Sequence, residues 1–353
     1  MKTLQSYVGR TVLLATLGVT GILVALDILF AFLAELEDLR GNYQFMEAAQ
    51  FILLTAPRRL YQMIPTGTLL GCLVALGALA NNSELVVMRA AGISLLQILW
   101  ATLRPVLLLA LVGLAIGEYL APYTEQIAQS TRAVAMGSGK MLHARSGVWH
   151  REGNEFIHVN AVEPGGRLFG VTRLRFDDSG RLQQASQART AFFLDDHWAM
   201  EDVEVTELGQ REARTSRFDA LTWYTSLDPK LLALLTLDPE DLSTTGLWQY
   251  ANYLAEQGLE SAPYFLAFWN KLLQPLMICA MVFIAISYVF GPLRQVSMGL
   301  RVLAGIITGL VLRYFQELSG TVALVYQFSP LLAATVPILL GAAIGAWALR
   351  RSG

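Results

Sequence analysis

Six apolar runs, each long enough to cross a bilayer, constrain the fold of this chain more than any other feature. A membrane-spanning helix needs about 20 mostly apolar residues, because hydrocarbon offers the backbone no hydrogen-bond partners. Only 15% of the residues are charged, whereas soluble domains have about a quarter. The sequence therefore predicts an α-helical membrane protein with six transmembrane helices, at roughly 11–33, 60–80, 98–121, 265–290, 300–318 and 330–349.

A stretch of different character, roughly residues 135–235, separates the third run from the fourth. Turn sequences such as EPGG (163–166) and DDSG (177–180) divide it into short pieces. Several pieces alternate partly between apolar and polar residues, as in VTRLRF (171–176). Short alternating runs at regular turn spacing predict an antiparallel sandwich or barrel.

The segment after this stretch, residues 239–258, is predicted to be helical, with one apolar stripe: Leu242, Leu247, Tyr250, Ala251 and Leu254. We therefore expect three parts along the chain. Residues 1–134 hold spans one to three and a short helix near 82–92. Residues 135–262 hold the β domain and the connecting helix, and residues 263–353 hold spans four to six.

Basic residues in the short connections predict the orientation of the chain. One side carries eight of them: Lys2, Arg10, Arg89, Arg104, Arg294, Arg301, Arg350 and Arg351. The opposite segments, 34–59 and 319–329, hold Arg40, Arg58 and Arg59. An excess of Lys and Arg marks the cytoplasmic side, so both termini and the short helix are expected there, with the β domain on the far side.

The short helix lies in the sequence NNSELVVMRAAG, residues 81–92. Ser83 or a preceding asparagine could cap it, Glu84 suits its positive end, and Gly92 could end it. It is either an interfacial connector or a coupling helix that docks on a partner ATPase. The chain has no complete GxxxxGK[ST] motif, which favours the second interpretation.

The sequence contains no catalytic or metal-binding constellation. The four histidines lack ligand spacing, and both cysteines lie in apolar runs, so we predict no enzyme activity, cofactor or metal. Nothing indicates nucleic-acid binding. A transport subunit is the leading hypothesis; the alternative is a membrane-anchored sensor or scaffold that relays ligand binding across the membrane. A secondary transporter is weakened because Asp27 and Arg313 form no chain of acids with other intramembrane residues.

Four motifs carry a resemblance to a known family: NNSELVVMRAAG, GEYLAP (117–122), WNKLLQP (269–275) and FGPLRQVSMGLRV (290–302). Together with the layout they resemble the lipopolysaccharide export permeases of the Gram-negative inner membrane, the LptF/LptG type, with SELVVM closer to the LptG branch. The resemblance implies a periplasmic antiparallel β-jellyroll between the third and fourth spans. It also implies an LptF-type permease as heterodimer partner, an LptB-type ATPase dimer and an LptC-type periplasmic bridge. Lipopolysaccharide would be extracted from the outer leaflet and passed to that bridge.

The resemblance also implies site residues. Contact with the ATPase is expected from Ser83, Glu84, Leu85, Met88 and Arg89. Spans one and five would line an acyl-chain cavity, with Leu26, Phe30, Ile306 and Leu310 as candidates. Some relatives carry a lysine in span one that faces this cavity, whereas this chain has LDILFAF (26–32).

Two further sets of candidates follow from position and chemistry, once the lipopolysaccharide transport implied by the resemblance is assumed. Arg40, Arg58, Arg59 and Arg132 are expected at span ends on the periplasmic side, where the arginine fork suits lipid phosphate. The alternative is that they contact lipid headgroups as any interfacial cation does. In the β domain, Phe156, Val159, Leu174 and Phe176 are expected to face an interior that accepts lipid. Gly305 and Gly309 form a G-x-x-x-G pattern that allows close helix approach, and Lys271 is interpreted as structural.

Overall fold

The computed structural model describes residues 2–39, 43–137, 148–162, 166–194, 196–209, 212–225, 227, 238–256, 260–290 and 297–352. In this part of the chain the α-helices are α1 Lys2–Glu37, α2 Phe45–Asn81, α3 Glu84–Ala90, α4 Leu95–Ala115, α5 Ala121–Gly137, α6 Thr244–Glu256, α7 Ala262–Phe290, α8 Met298–Val325 and α9 Pro330–Ser352. A π-helical turn, Ile116–Leu120, joins α4 to α5, and a 3₁₀ turn, Pro239–Asp241, precedes α6.

The predicted six spans are confirmed. Within the described ranges, six helices are long and apolar enough to cross a membrane: Thr3–Glu37, Phe45–Asn81, Leu95–Met136, Ala262–Phe290, Val302–Val325 and Pro330–Arg350. The second begins earlier than expected, because α2 runs through Pro57. Proline is tolerated in membrane helices where neighbouring groups satisfy the freed backbone. Arg58 and Arg59 therefore lie within the long helix α2 and not at its N-terminal end.

The chain divides into two compact units. The first comprises Met1–Leu29, Ala56–Leu120 and Ser243–Gly353, and the second comprises Phe30–Thr55 and Ala121–Leu242. The first unit is helical and includes α6. Its apolar core draws on α1, α2, α4 and α7, through residues that include Val12, Leu69, Leu73, Leu76, Ile98, Val106, Ile278, Val282 and Ile286.

Helices α1 and α2 meet along a close antiparallel seam built from small residues. Gly71 packs on Thr16, and a methyl group at Gly71 would lie 2.8 Å from the Thr16 backbone nitrogen. One turn away, a methyl group at Gly67 would lie 2.9 Å from Thr20 Cβ. Small residues let helix backbones approach closely in lipid. These two contacts fix the register of α1 against α2, and we call them the glycine seam.

The β domain is one antiparallel sheet of six strands in the described part of the chain. The strands are β1 Val148–Glu152, β2 Glu155–Val162, β3 Arg167–Phe176, β4 Leu182–Leu194, β5 His197–Leu208 and β6 Ala213–Trp223. Each pairs with the next along the chain, in the order β1-β2-β3-β4-β5-β6. The expected antiparallel β domain between the third and fourth spans is confirmed.

A crease crosses this sheet and changes which residues face its core. Along β2 to β5, two residues instead of one separate successive core residues, in the pairs Val159/Val162, Leu168/Val171, Ala188/Ala191 and Met200/Val203. Between the members of these pairs lie Gly170 and Asp202, which have positive φ values of 63° and 55°. Side chains alternate between faces in a regular strand, so the crease lets both ends of each strand contribute to a single core.

Candidate functional site

Helix α3 begins differently from the prediction. Ser83 has a left-handed backbone conformation, with φ of 59°, and its side chain makes no capping hydrogen bond. A capping serine needs an extended backbone to reach the amides of the first turn, so the predicted Ser83 cap is wrong. The C-terminal end agrees with the prediction, since Gly92 has φ of 88° and donates its backbone N–H to the Arg89 carbonyl.

The two sides of α3 differ in exposure. Leu85 and Met88 are buried in the core of the helical unit, so these two predicted contact residues anchor the helix to its own chain. Val86 and Val87 are 52% and 65% exposed, and Arg89 is exposed beside them. The surface offered to a partner therefore includes two valines that the sequence analysis did not select.

Glu84 connects α3 to its surroundings. Its carboxylate accepts a long hydrogen bond from Asn82 Nδ2 at 3.5 Å and also interacts with the Tyr7 hydroxyl of α1. Glu84 remains half-exposed. A charge at this position therefore touches both the first helix and the outer surface of α3. Tyr7 was missed because it lies far from Glu84 in sequence.

Arg59 forms an ion pair with Asp27 inside the helical unit. Arg59 Nη1 lies 2.8 Å from Asp27 Oδ2, and the two side chains are 14% and 31% exposed. Arg58, the adjacent candidate, is half-buried. Arg40, the fourth basic candidate, lies outside the described residues.

Arg132 lies in the second unit, where two carboxylates contact it. Its Nε donates to Glu35 Oε1 at 2.6 Å and its Nη2 to Asp38 Oδ2 at 2.8 Å. The Tyr43 hydroxyl donates to the same Glu35 oxygen at 2.7 Å, and burial together with Glu35 raises the pKa of Tyr43. The guanidinium also lies 5.2 Å from the centre of the Phe51 ring. A lipid phosphate at Arg132 would therefore compete with two acids.

The four acyl-chain candidates are all exposed. Leu26 and Phe30 occupy successive turns of α1, and Ile306 and Leu310 occupy successive turns of α8. They are accessible to a lipid or to a partner helix. The nearby glycines Gly305 and Gly309 instead face leucines of α2, including Leu69 and Leu73, so the G-x-x-x-G pattern forms a contact within the chain.

The four β-domain candidates do not share a face, which corrects the prediction. Val159 belongs to the buried core. Phe156 pairs with Leu174 and lies 5.3 Å, ring centre to ring centre, from Phe176, and these three are half-buried. Alternation along β2 turns Phe156 away from the face that holds Ile157 and Val159. The physical reason is simple parity, since positions 156 and 159 differ by an odd number.

The core face of the sheet ends in an ionic group. Glu155 is contacted by Arg173 Nη2 at 2.9 Å and by Arg175 Nη2 at 2.6 Å. Burial alone would raise the pKa of Glu155, but the hydrogen bonds and charges of the two arginines lower it overall. Arg173 also lies over the Trp223 ring at 5.2 Å. These side chains close one end of the apolar core with paired charges.

A cluster of polar residues in the helical unit, formed by Glu118, the start of α6 and Lys271, was not predicted from the sequence. Glu118, on the π-helical turn, accepts hydrogen bonds from the backbone N–H of Thr244 at 2.7 Å and of Thr245 at 3.3 Å. It thus caps α6 from another helix. Lys271 of α7 is 6% exposed, lies 5.5 Å from the Tyr61 ring centre and interacts electrostatically with Glu118. The motifs GEYLAP and WNKLLQP supply Glu118 and Lys271, and only the fold brings the two motifs together.

Comparison with known proteins shows which family this chain resembles. The family described as "Lipopolysaccharide export system permease LptF/LptG" matches residues 6–351. The chain is 35% identical over 352 residues to the lipopolysaccharide export system permease protein LptG of Escherichia coli strain K12, covering 99% of this chain and 98% of that protein. It is 33% identical over 354 residues to the LptG of Haemophilus influenzae strain KW20, covering 99% of each chain. The resemblance seen in the sequence is thereby confirmed, and the chain belongs to the LptF/LptG family of lipopolysaccharide export system permeases.

Proposed function

We propose that this chain is the LptG-type half of an ATP-driven lipopolysaccharide exporter. It pairs with an LptF-type permease, takes lipopolysaccharide from the outer leaflet of the inner membrane, and passes it to an LptC-type periplasmic bridge. An LptB-type ATPase dimer supplies the energy. The observation that carries the proposal is the family assignment over residues 6–351 together with identity to LptG proteins across the full length.

In this proposal the exposed side of α3 is the ATPase contact. Val86 and Val87 provide an apolar surface, Arg89 and Glu84 flank it with charge, and Leu85 and Met88 hold the helix in the core. Because its buried side is packed in the core, this short helix transmits movement of the ATPase to the membrane spans as a rigid element. Leu85 and Met88 therefore contribute rigidity, while the direct contacts come from the exposed residues.

In the same proposal, lipid phosphate binds Arg58 and Arg59 of the helical unit, with Arg132 of the second unit and Arg40 as further candidates. Leu26, Phe30, Ile306 and Leu310 contact acyl chains as the lipid enters. Both termini lie in the cytoplasm and the β domain in the periplasm, as the basic residues of the short connections indicate.

Co-purification with the ATPase tests this proposal at α3. Val87→Glu places a charge on the proposed apolar contact, where an unpaired charge is costly to desolvate. We expect the amount of LptB-type ATPase retained by the membrane complex to fall by about tenfold or more, a loss of about 1.4 kcal/mol in binding. Glu84→Ala should weaken retention or uncouple ATP hydrolysis from lipid export.

The matched control is Leu194→Glu, which makes the same kind of change at a 51% exposed position on β4. It should leave ATPase retention unchanged. Normal retention and normal coupled export in both α3 variants would contradict the role given to this helix.

A further inference from the structure

The Asp27–Arg59 ion pair lies between two membrane-spanning helices. Asp27 is on α1 and Arg59 on α2, and both positions fall within candidate spans. An ionised side chain inside a membrane is costly and is usually paired or turned toward a cavity. Arginine keeps its charge in proteins. A nearby anion therefore stabilises Arg59 both with and without bound lipid.

The glycine seam sets up this pair. Thr16 meets Gly71 and Thr20 meets Gly67, so positions on the two antiparallel helices add to a constant sum. The same register, extended two turns toward the C-terminus of α1, brings Asp27 to within one position of Arg59, and the arginine side chain reaches it. The packing of α1 on α2 therefore places the two residues within reach of each other.

The unequal exposure of the two partners matters chemically. Arg59 is largely enclosed, whereas Asp27 is about twice as exposed. The partial exposure of Asp27 leaves the pair accessible to another anion, and the guanidinium fork suits phosphate as well as carboxylate. A phosphate and Asp27 carry the same sign of charge, so their binding to the same part of Arg59 is mutually unfavourable.

We infer that Asp27 is a positioning residue that competes with lipid phosphate for Arg59. It holds the guanidinium in place while the site is empty, a lipid-borne phosphate displaces it, and it recaptures Arg59 as the lipid leaves. This inference rests on the proposed function, in which Arg59 binds lipopolysaccharide phosphate, and adds a resident competitor that favours release.

The inference predicts a gain of affinity from the loss of a charge. Asp27→Asn keeps the size of the side chain and removes the competing anion. If Asp27 were only a structural counter-ion, its loss would loosen the α1–α2 packing and weaken lipid binding. A competitor and a structural brace therefore predict opposite signs.

The test uses the full chain in its complex with the partner subunits, reconstituted in nanodiscs. The probes are bisphosphorylated lipid A and monophosphoryl lipid A, with affinity and release rate measured for each. We expect Asp27→Asn to tighten binding of the bisphosphorylated lipid about tenfold, the effect of about one hydrogen bond to a charged group, and to slow its release. Monophosphoryl lipid A should show a smaller gain.

Three further variants make the test specific. Arg59→Gln should weaken binding, and Asp27→Asn should have no effect in the Arg59→Gln background, because the competition needs the arginine. Glu37→Gln removes one exposed carboxylate from the same helix and should change nothing. Free inorganic phosphate in excess should fail to displace lipid A if the ligand is lipid-borne phosphate.

The outcomes separate this inference from the proposed function. Weaker or unchanged binding in Asp27→Asn, with weaker binding in Arg59→Gln, overturns the competition and leaves the phosphate role of Arg59 intact. Unchanged binding in Arg59→Gln overturns that role and the competition with it. Full displacement of lipid A by inorganic phosphate overturns the lipid-borne source of the anion.

Discussion

At the scale of single residues, the spans and their ends contain charges held in specific contacts. Arg59 has Asp27, and Arg132 has Glu35 and Asp38. Lys271 interacts with Glu118 and lies near the Tyr61 ring. A partner lowers the cost of holding a charge in a medium of low dielectric constant. Two of the basic candidates, Arg59 and Arg132, are thus already paired with carboxylates, and in the proposed function lipid phosphate would compete with those carboxylates.

The glycine seam gives a prediction at this scale. Gly71→Ala places a methyl group 2.7 Å from Thr16 Oγ1 and 2.8 Å from its backbone nitrogen. The backbone cannot rotate away, so α1 and α2 must separate. We expect the free energy of unfolding to fall by about 1–3 kcal/mol, the usual cost of overpacking. Thermal unfolding of the purified chain in detergent measures this change.

Gly18→Ala on α1 is the control, because nothing lies within 4 Å of a methyl group there. Alanine favours helix over glycine by about 1 kcal/mol, so this variant should be as stable as the parent or slightly more so. Equal stability of the Gly71 and Gly18 variants would show that the seam is not tightly packed.

At the scale of whole elements, the sequence predicted the helices better than their ends. Apolar runs located all six spans, because about 20 apolar residues have few alternatives. The runs did not show that α2 begins at Phe45 or that α4 continues through a π turn into α5, because both extensions contain polar residues that are satisfied by distant partners. The apolar stripe of α6 was predicted correctly and is buried.

The contacts of the candidate site were less predictable than the spans, because they join residues that are far apart in the sequence. The sequence selected Glu84 and the arginines, but Tyr7, Asp27 as a partner of Arg59, and the Glu118 contact with α6 depend on packing between segments far apart in the chain. In the β domain, strict alternation failed at the crease, since two residues separate core positions where one was assumed.

The Glu118 contact gives a prediction at the scale of elements. Glu118→Gln keeps an acceptor but removes the charge that caps α6 and faces Lys271. Hydrogen bonds to charged groups contribute about 1.5–3 kcal/mol. We expect amide exchange within residues 244–256 to become about tenfold faster or more, measured by hydrogen–deuterium exchange on the full chain.

Tyr119→Phe, on the same π turn, is the control, because the Tyr119 side chain is 79% exposed. Exchange in α6 should be unaltered there. Unaltered exchange in Glu118→Gln as well would mean that α6 is held by its apolar stripe alone.

At the scale of the whole molecule, the chain consists of a helical unit and a second unit that carries the sheet, and each is assembled from separated stretches of sequence. Membership of the LptF/LptG family makes the chain a subunit of lipopolysaccharide export. The basic residues of the short connections predict which ends of the spans lie in the cytoplasm.

Thiol labelling tests the predicted orientation. In a background with Cys72 and Cys279 replaced by alanine, a single cysteine is placed at Ser179 between β3 and β4, at Ser329 between α8 and α9, or at Thr3, all exposed positions. We expect a membrane-impermeant maleimide to label the first two in cells with a permeable outer membrane. Thr3→Cys should react only after the inner membrane is opened. Labelling of Thr3→Cys while the inner membrane is intact, or protection of Ser179→Cys from the reagent, would contradict the predicted orientation and indicate the opposite one.

The crease in the β sheet couples the lengths of neighbouring strands. In each of β2 to β5, two residues separate the paired core positions, and the strands stay in one constant register across them. Deleting Asp202 alone would keep the inward residues of β5 inward, but would slip them by one residue against both β4 and β6. Insertions and deletions at this line are therefore tolerated only when adjacent strands change together. Over evolutionary time, the spacing of core residues at the crease should therefore change in adjacent strands together.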